Sequence, residues 1–104
     1  MVMDAIARVA IDSYVIETLM PDLVGHDRSP SSFLVYLYLW RETNGGRVRT
    51  AEIPLRAIAE GTGVSKRAVQ HGLRLLTRRR LITMAHATPT SASTFLVHRP
   101  WVRR

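Results

Sequence analysis

The 104-residue sequence contains no cysteine, which excludes a disulfide framework and a thiolate metal site. Its longest apolar run, residues 33–40, is far shorter than the roughly 20 residues that span a bilayer. No basic segment precedes an apolar core at the start of the chain, so we expect no signal peptide, no membrane partner and a cytoplasmic location. The length suits one domain with a modest core and excludes a two-domain enzyme.

The sequence also lacks the residue groups that catalysis and metal binding usually require. No Gly-x-Ser-x-Gly motif is present, and no two histidines stand at a helical ligand spacing. His86 and His98 could pair across a hairpin, but exposed histidines are the simpler interpretation. Residues 61–66 look like a phosphate-binding loop, although the residues before them have helical rather than strand spacing. We therefore expect no enzymatic activity, no metal and no cofactor.

Acidic residues are scarce in the second part of the chain. Residues 47–104 contain twelve basic and two acidic residues, whereas residues 1–46 contain three basic and six acidic ones. The net charge of +7 is therefore the balance of a strongly cationic part and a mildly acidic one. This division favours a polyanionic partner, nucleic acid first and an anionic membrane second. The alternative is a solvated surface that only keeps the protein in solution.

Hydrophobic spacing predicts a mostly α-helical protein with a small β-hairpin, which is an α+β fold. The predicted helices cover residues 4–19, 31–43, 54–60 and 66–79. The predicted strands cover residues 47–53, 81–87 and 94–98, and the last two form the hairpin. Pro21 predicts a break near residues 19–20, and residues 14–16 could instead form a short strand.

Apolar residues occupy most sides of the predicted helix over residues 31–43. Phe33, Tyr36 and Trp40 are therefore expected in the core rather than in a base-stacking platform. Asn44 and the two glycines that follow it are expected to end this helix.

Residues 58–70 contain a recognisable arrangement of small, turn, cap and buried positions. It consists of the small Ala59, the turn residue Gly63, the apolar Val64, the helix cap Ser65 and the buried Val69. Together with the order helix, short strand, helix, tight turn, helix and hairpin, this pattern resembles the winged helix-turn-helix domain. The resemblance implies a three-helical core plus a wing over residues 29–104. Residues 1–28 would then be an N-terminal extension that could serve dimerisation.

The resemblance has two departures, one at the end of the third helix and one in the wing. The family usually has a glycine before the wing, whereas this chain has Arg80. The expected wing loop, residues 88–93, contains no arginine or lysine, so it contributes little charge. Arg47, Arg49 and Arg99 are alternative candidates for phosphate contacts.

One face of the predicted helix over residues 66–79 is polar and free of acidic residues. At about 100° per residue, Val69, Leu73 and Leu76 share the buried side. The opposite side carries Arg67, Gln70, His71, Arg74 and Arg78. In the resembling family this face enters the major groove of DNA.

The resemblance implies different contacts for different positions on this helix, because positions early in it enter the groove most deeply. The expected base contacts are Lys66, Arg67, Gln70 and His71. The expected phosphate contacts are Arg74, Arg78 and Ser65 with nearby backbone N–H groups.

These features predict sequence-specific binding of double-stranded DNA, most simply by a transcriptional regulator that forms a homodimer. Regulators of the MarR and GntR types share the pattern, and so do plasmid and phage replication initiators. A replication or partition protein is therefore an alternative within DNA binding. Winged helices also serve as protein–protein adaptors, which is an alternative from a different class. Residues 1–28 and the helix over residues 33–40 are the candidates for the dimer interface.

Overall fold

The structure is a computed structural model that describes residues 7–47, 50–86 and 92–102. Two π-helical segments, Val15–Leu19 and Pro21–His26, come first. The elements that follow are α1 (Pro30–Glu42), β1 (Ala51–Ile53), α2 (Leu55–Thr62), α3 (Lys66–Arg78), β2 (Ile82–His86) and β3 (Ser93–Val97). The expected α+β class is therefore confirmed. No helix in these described ranges has the length and apolar character needed to cross a membrane.

The first α-helix, α1, forms the centre of the hydrophobic core. Pro30 occupies its first turn, where the missing N–H costs no hydrogen bond. Phe33, Tyr36 and Trp40 are buried, as the sequence predicts, and Val35 and Leu39 are buried with them. The helix ends before Asn44, which has a φ of 51°. Most of the apolar side chains between residues 33 and 40 are consequently unable to contact a second copy of the chain.

Helices α2 and α3 meet at a tight turn built from the residues that the sequence analysis singled out. Gly63 ends α2 in the left-handed conformation with a φ of 81°, which glycine adopts without a steric penalty. Ser65 then begins α3 as its N-cap, and Ile58 buries the inner side of α2. The predicted bounds of α3 agree with the observed helix to within one residue.

The contact between α1 and α3 depends on a small residue in the middle of α3. A Cβ atom at Gly72 would stand only 3.2 Å from the Cα atom of Ser32 on α1. Val69, Leu73 and Leu76 are buried on the same side of α3. Glycine at this position therefore allows the two helices to pack closely.

The three strands form one antiparallel sheet in the order β1–β3–β2. The predicted hairpin is confirmed, because Ile82 pairs with Val97 and His86 pairs with Ser93. The predicted strand over residues 47–53 is observed only from Ala51 to Ile53, where it pairs with β3 as a third strand. Residues 48–49 and residues 87–91, most of the expected wing loop, lie outside the described residues.

The N-terminal segment differs from the predicted helix over residues 4–19, of which residues 4–6 lie outside the described residues. Residues 7–12 have no regular structure, and the helical part extends from residue 13 through Pro21 to His26. The predicted break near residues 19–20 is wrong, because Met20 keeps helical dihedrals and Pro21 takes the first position of the second π-helical segment. A proline at that position needs no N–H donor. A short strand over residues 14–16 is excluded as well.

The N-terminal segment is packed onto the rest of the domain. Val15, Leu19 and Leu23 recur every four residues and are all buried in the common core. The indole N–H of Trp40 donates to the carbonyl oxygen of Ala10 at 2.8 Å, and that of Trp101 donates to a carboxylate oxygen of Asp12 at 2.9 Å. Burial and these polar contacts join the segment to both α1 and the C-terminal residues.

Helix α3 is followed by Arg80, an arginine whose backbone is in the left-handed conformation. The Arg80 N–H donates to the oxygen of Thr77 at 3.0 Å, and the Leu81 N–H donates to the oxygen of Leu76 at 2.9 Å. This Schellman pairing requires left-handed backbone at the residue after the cap, and Arg80 supplies it with a φ of 60°. Arg80 therefore occupies the conformation for which glycine is usually chosen.

Replacing Arg80 with glycine should stabilise the protein by about 0.5–1 kcal/mol. Glycine removes a left-handed penalty of roughly 1–2 kcal/mol, but it loses more conformational entropy on folding. Urea unfolding measures the difference. The matched control Arg78→Gly removes the same charge from a right-handed helical position and should destabilise by about 0.5–1 kcal/mol. If both variants lowered the free energy of unfolding, the backbone of Arg80 would not be strained.

Candidate nucleic-acid interface

The outward side of α3 is a polar surface backed by the hydrophobic core. All of the predicted site residues are exposed: Ser65, Lys66, Arg67, Gln70, His71, Arg74 and Arg78. The buried side of the same helix consists of Val69, Gly72, Leu73, Leu75 and Leu76. This division orients every cationic side chain of residues 66–78 away from the core.

Four of the exposed residues form a continuous line along the helix. Arg67, His71, Arg74 and Arg78 are spaced four, three and four residues apart, which places them one above another on a single face. We call this line the α3 stripe. Its ends are eleven positions apart in the sequence, which corresponds to about 16 Å of helix. Gln70 lies beside the stripe in its first half.

The N-terminal end of α3 presents free hydrogen-bond donors. The Ser65 hydroxyl oxygen accepts a hydrogen bond from the Ala68 N–H at 3.0 Å, which caps the helix. The backbone N–H groups of Lys66 and Arg67 lie in the first turn, where the helix itself offers no carbonyl oxygen to accept a hydrogen bond from them. Such N–H groups, together with the positive end of the helix dipole, favour a negatively charged group at this end.

The cations of the α3 stripe have no acidic partners. Within residues 7–47, 50–86 and 92–102, no carboxylate lies within 4.0 Å of Arg67, Arg74 or Arg78. Lys66 is unpaired by the same criterion. The positive charge of this face is therefore available to an external anion.

Three aspartates of the N-terminal segment, Asp12, Asp22 and Asp27, instead pair with arginines outside the stripe. Arg79 contacts the carboxylates of both Asp22 and Asp27, one through each terminal nitrogen of its guanidinium. The hydrogen bonds that Arg79 donates to these carboxylates, the one to Asp22 foremost, raise the pKa of Arg79. A hydrogen bond from His26 and the contact with Arg79 hold the pKa of Asp27 below its ordinary value. We call Asp22, Asp27 and Arg79 the arginine fork.

The other predicted phosphate contacts differ in their surroundings. Arg47 is exposed, and its guanidinium donates to the backbone oxygen of Asn44 at 3.3 Å. Arg99 pairs with Asp12 at 3.4 Å and is not a free cation, so the prediction that it contacts phosphate is not supported by its position. Arg49 lies outside the described residues.

The suggested histidine pair is wrong, because the strand register separates its members. His86 pairs with Ser93 at one end of the β2–β3 ladder. His98 follows β3 at the other end, where its backbone N–H donates to Leu81 and its ring contacts the Thr83 hydroxyl at 2.6 Å. Among the residues that the structure describes, no group of three His, Cys, Asp or Glu side chains could hold a metal ion.

The arginine fork and the close contact at Gly72 are the two features of this region that sequence reasoning missed. The fork joins residues 52 and 57 positions apart in the chain, and no local pattern signals such a pairing. Gly72 carries a weak signal, since an isolated glycine inside a strongly amphipathic helix often marks a close packing contact.

Comparisons with known proteins add no family to this description. No family model matches the chain, and neither the curated proteins nor the solved structures contain a match. The functional assignment consequently depends on the geometry and charge of α3.

Replacing Ser65 with alanine should destabilise the protein by about 1 kcal/mol, because the Ala68 N–H loses its cap. Thermal or urea unfolding measures this loss. The variant Ser65→Asp keeps a capping oxygen and should retain most of the stability, while placing a negative charge at the start of the α3 face. Equal stability of all three proteins would show that Ser65 does not cap α3 in solution.

The arginine fork predicts a loss of stability in acid. Because the pKa of Asp27 is lowered from 3.8 in the folded protein, its stabilisation is complete above that unfolded value. The stabilisation is lost as the pH falls through the lower folded value. Urea unfolding between pH 6 and pH 2 should show a smaller acid-induced loss in Asp27→Asn than in the wild type. Parallel pH profiles of the two proteins would contradict the pairing.

Proposed function

We propose that this protein binds double-stranded DNA through the α3 stripe, as a winged helix-turn-helix protein, and that it regulates transcription. The observation that carries the proposal is the stripe itself: three arginines and a histidine on one face of a 13-residue helix. None of the carboxylates in the described part of the chain is paired to them. A surface of this kind attracts the phosphates of nucleic acid.

The arrangement of elements supports the winged-helix part of the proposal. The order α1, β1, α2, α3, β2 and β3 is the order that the resemblance implies, and β2 and β3 form a hairpin directly after α3. The tight turn at Gly63 and the cap at Ser65 lie between the two helices that the family uses for binding. In this order, α3 is the helix whose outer face the resemblance assigns to duplex DNA.

The dimensions and chemistry of α3 suit the major groove. A groove about 12 Å wide admits one α-helix, and the cationic side chains of α3 are exposed. Arg67 and Gln70 are near the start of the helix, where arginine can bond to guanine and glutamine to adenine. Arg74 and Arg78 are further along and are proposed to contact phosphates.

A homodimer stays a prediction. Two copies would bind two half-sites and strengthen binding beyond that of one helix. Of the two segments expected to supply the contact, the N-terminal one exposes Val9, Ile11 and Tyr14, whereas α1 exposes only Leu34 among its large apolar residues. The N-terminal segment is therefore the better candidate.

The experiment that tests DNA binding is a salt titration. A duplex selected by the protein from a random-sequence pool is labelled, and its affinity is measured by fluorescence anisotropy at several salt concentrations. Three or four phosphate contacts predict a slope of log affinity against log salt of about −3. A slope near zero, or failure to select any duplex, would overturn the proposal and favour the adaptor alternative.

Substitutions on the stripe should separate base contacts from phosphate contacts. Arg67→Ala should weaken binding by about 1–3 kcal/mol and relax the preference for one base pair, whereas Arg78→Ala should weaken all sequences alike and reduce the salt slope by about 0.9. The matched control is Arg41→Ala, which removes the same charge from α1, where Arg41 pairs with Glu42. An equal loss in the control would mean that net charge rather than the α3 stripe determines affinity.

A further inference from the structure

His71 lies in the middle of the α3 stripe, one helical turn after Arg67 and one turn before Arg74. Its side chain is exposed, and in the described parts of the chain no carboxylate lies within 4.0 Å of it. Histidine is the side chain whose charge ordinarily changes between pH 5 and pH 8. The stripe therefore combines three permanent charges with one that depends on a proton.

The elements that pack against α3 supply no ionic partner to this histidine. Their charged side chains are Arg41 and Glu42 on α1 and Arg56 and Glu60 on α2. Arg41 and Glu42 pair with each other, and neither Arg56 nor Glu60 is within ion-pair distance of His71. The only titratable residue of β2 is His86. The N-terminal carboxylates of Asp22 and Asp27 are bound to Arg79.

We propose that His71 takes up a proton when the α3 stripe binds duplex DNA, so that DNA binding strengthens as the pH falls from 8 to 6. This inference rests on the proposed function. In the complex, phosphate oxygens beside the stripe favour the charged imidazolium over the neutral ring. Coupling of this kind is reciprocal: a proton bound more tightly in the presence of DNA makes DNA bind more tightly in the presence of the proton.

The size of the effect follows from this coupling. If the complex holds the proton about tenfold more tightly than the free protein, the affinity for DNA rises severalfold as the pH falls from 8 to 6, with about tenfold as the upper limit. The additional positive charge also adds to the charge that the protein brings to the duplex, so the salt slope at pH 6 should be steeper than that at pH 8 by up to about 0.9.

The test measures the affinity of the full chain for the selected, labelled duplex at pH 6, 7 and 8 and constant ionic strength. His71→Gln should have the same affinity at all three pH values, because glutamine takes up no proton in this range. His71→Lys carries a permanent charge and should bind tightly throughout. The matched control His26→Gln removes an exposed histidine beside the arginine fork and should keep the pH dependence of the wild type.

The possible results separate this inference from the proposed function. Failure of the wild type to bind any duplex at any pH overturns both. Binding with an affinity that is equal at pH 6 and pH 8 overturns the role of His71 and leaves DNA binding in place. A pH dependence that persists in His71→Gln likewise overturns it, because the proton is then taken up elsewhere. A pH dependence lost only in the His71 variants supports it.

Discussion

The close packing of α3 on α1 is the constraint on which the candidate interface depends. Because Gly72 allows the backbone of α3 to approach Ser32, the apolar side of α3 is buried against the core along its length. A helix fixed in this way has no freedom to rotate about its axis, since rotation would expose Val69 and Leu73 to water. The direction in which the stripe faces is therefore set by burial on the opposite side, and the charged residues need no contacts of their own to be oriented.

The uneven distribution of charge along the sequence corresponds to two different regions of the folded surface. Among the acidic residues of the N-terminal part that the structure describes, none lies within ion-pair distance of the stripe, where it would neutralise it. Asp12 pairs with Arg99, and Asp22 and Asp27 pair with Arg79, so these carboxylates attach the N-terminal segment to the end of α3 and to the C-terminal residues. Such partly exposed pairs contribute modestly to stability. Their larger effect is to separate a neutralised region of the surface from a cationic one.

Much of the fold and of the candidate site could be predicted from the sequence because the signals are local. Gly63, Ser65 and the spacing of Val69, Leu73 and Leu76 set the turn, the cap and the buried side of α3 within a few residues of one another. The exposed face follows from the same periodicity.

The features that were not predicted depend on contacts between distant parts of the chain. The arginine fork joins π-helical residues to the end of α3, and β1 becomes part of the sheet only because β3 returns beside it. The N-terminal segment is π-helical through Pro21, a conformation that hydrophobic spacing does not distinguish from an α-helix. Tertiary packing decides each of these outcomes, and no short window of sequence contains the partner residues.

The two ends of α3 are chemically unlike, and this gives the helix a polarity that a symmetric cationic rod would lack. Its first turn offers backbone donors and the Ser65 cap, whereas its last turn is followed by the arginine fork, where two carboxylates outnumber one guanidinium. A polyanion lying along the helix would therefore meet backbone N–H donors at its first turn and the guanidinium of Arg78 at its last.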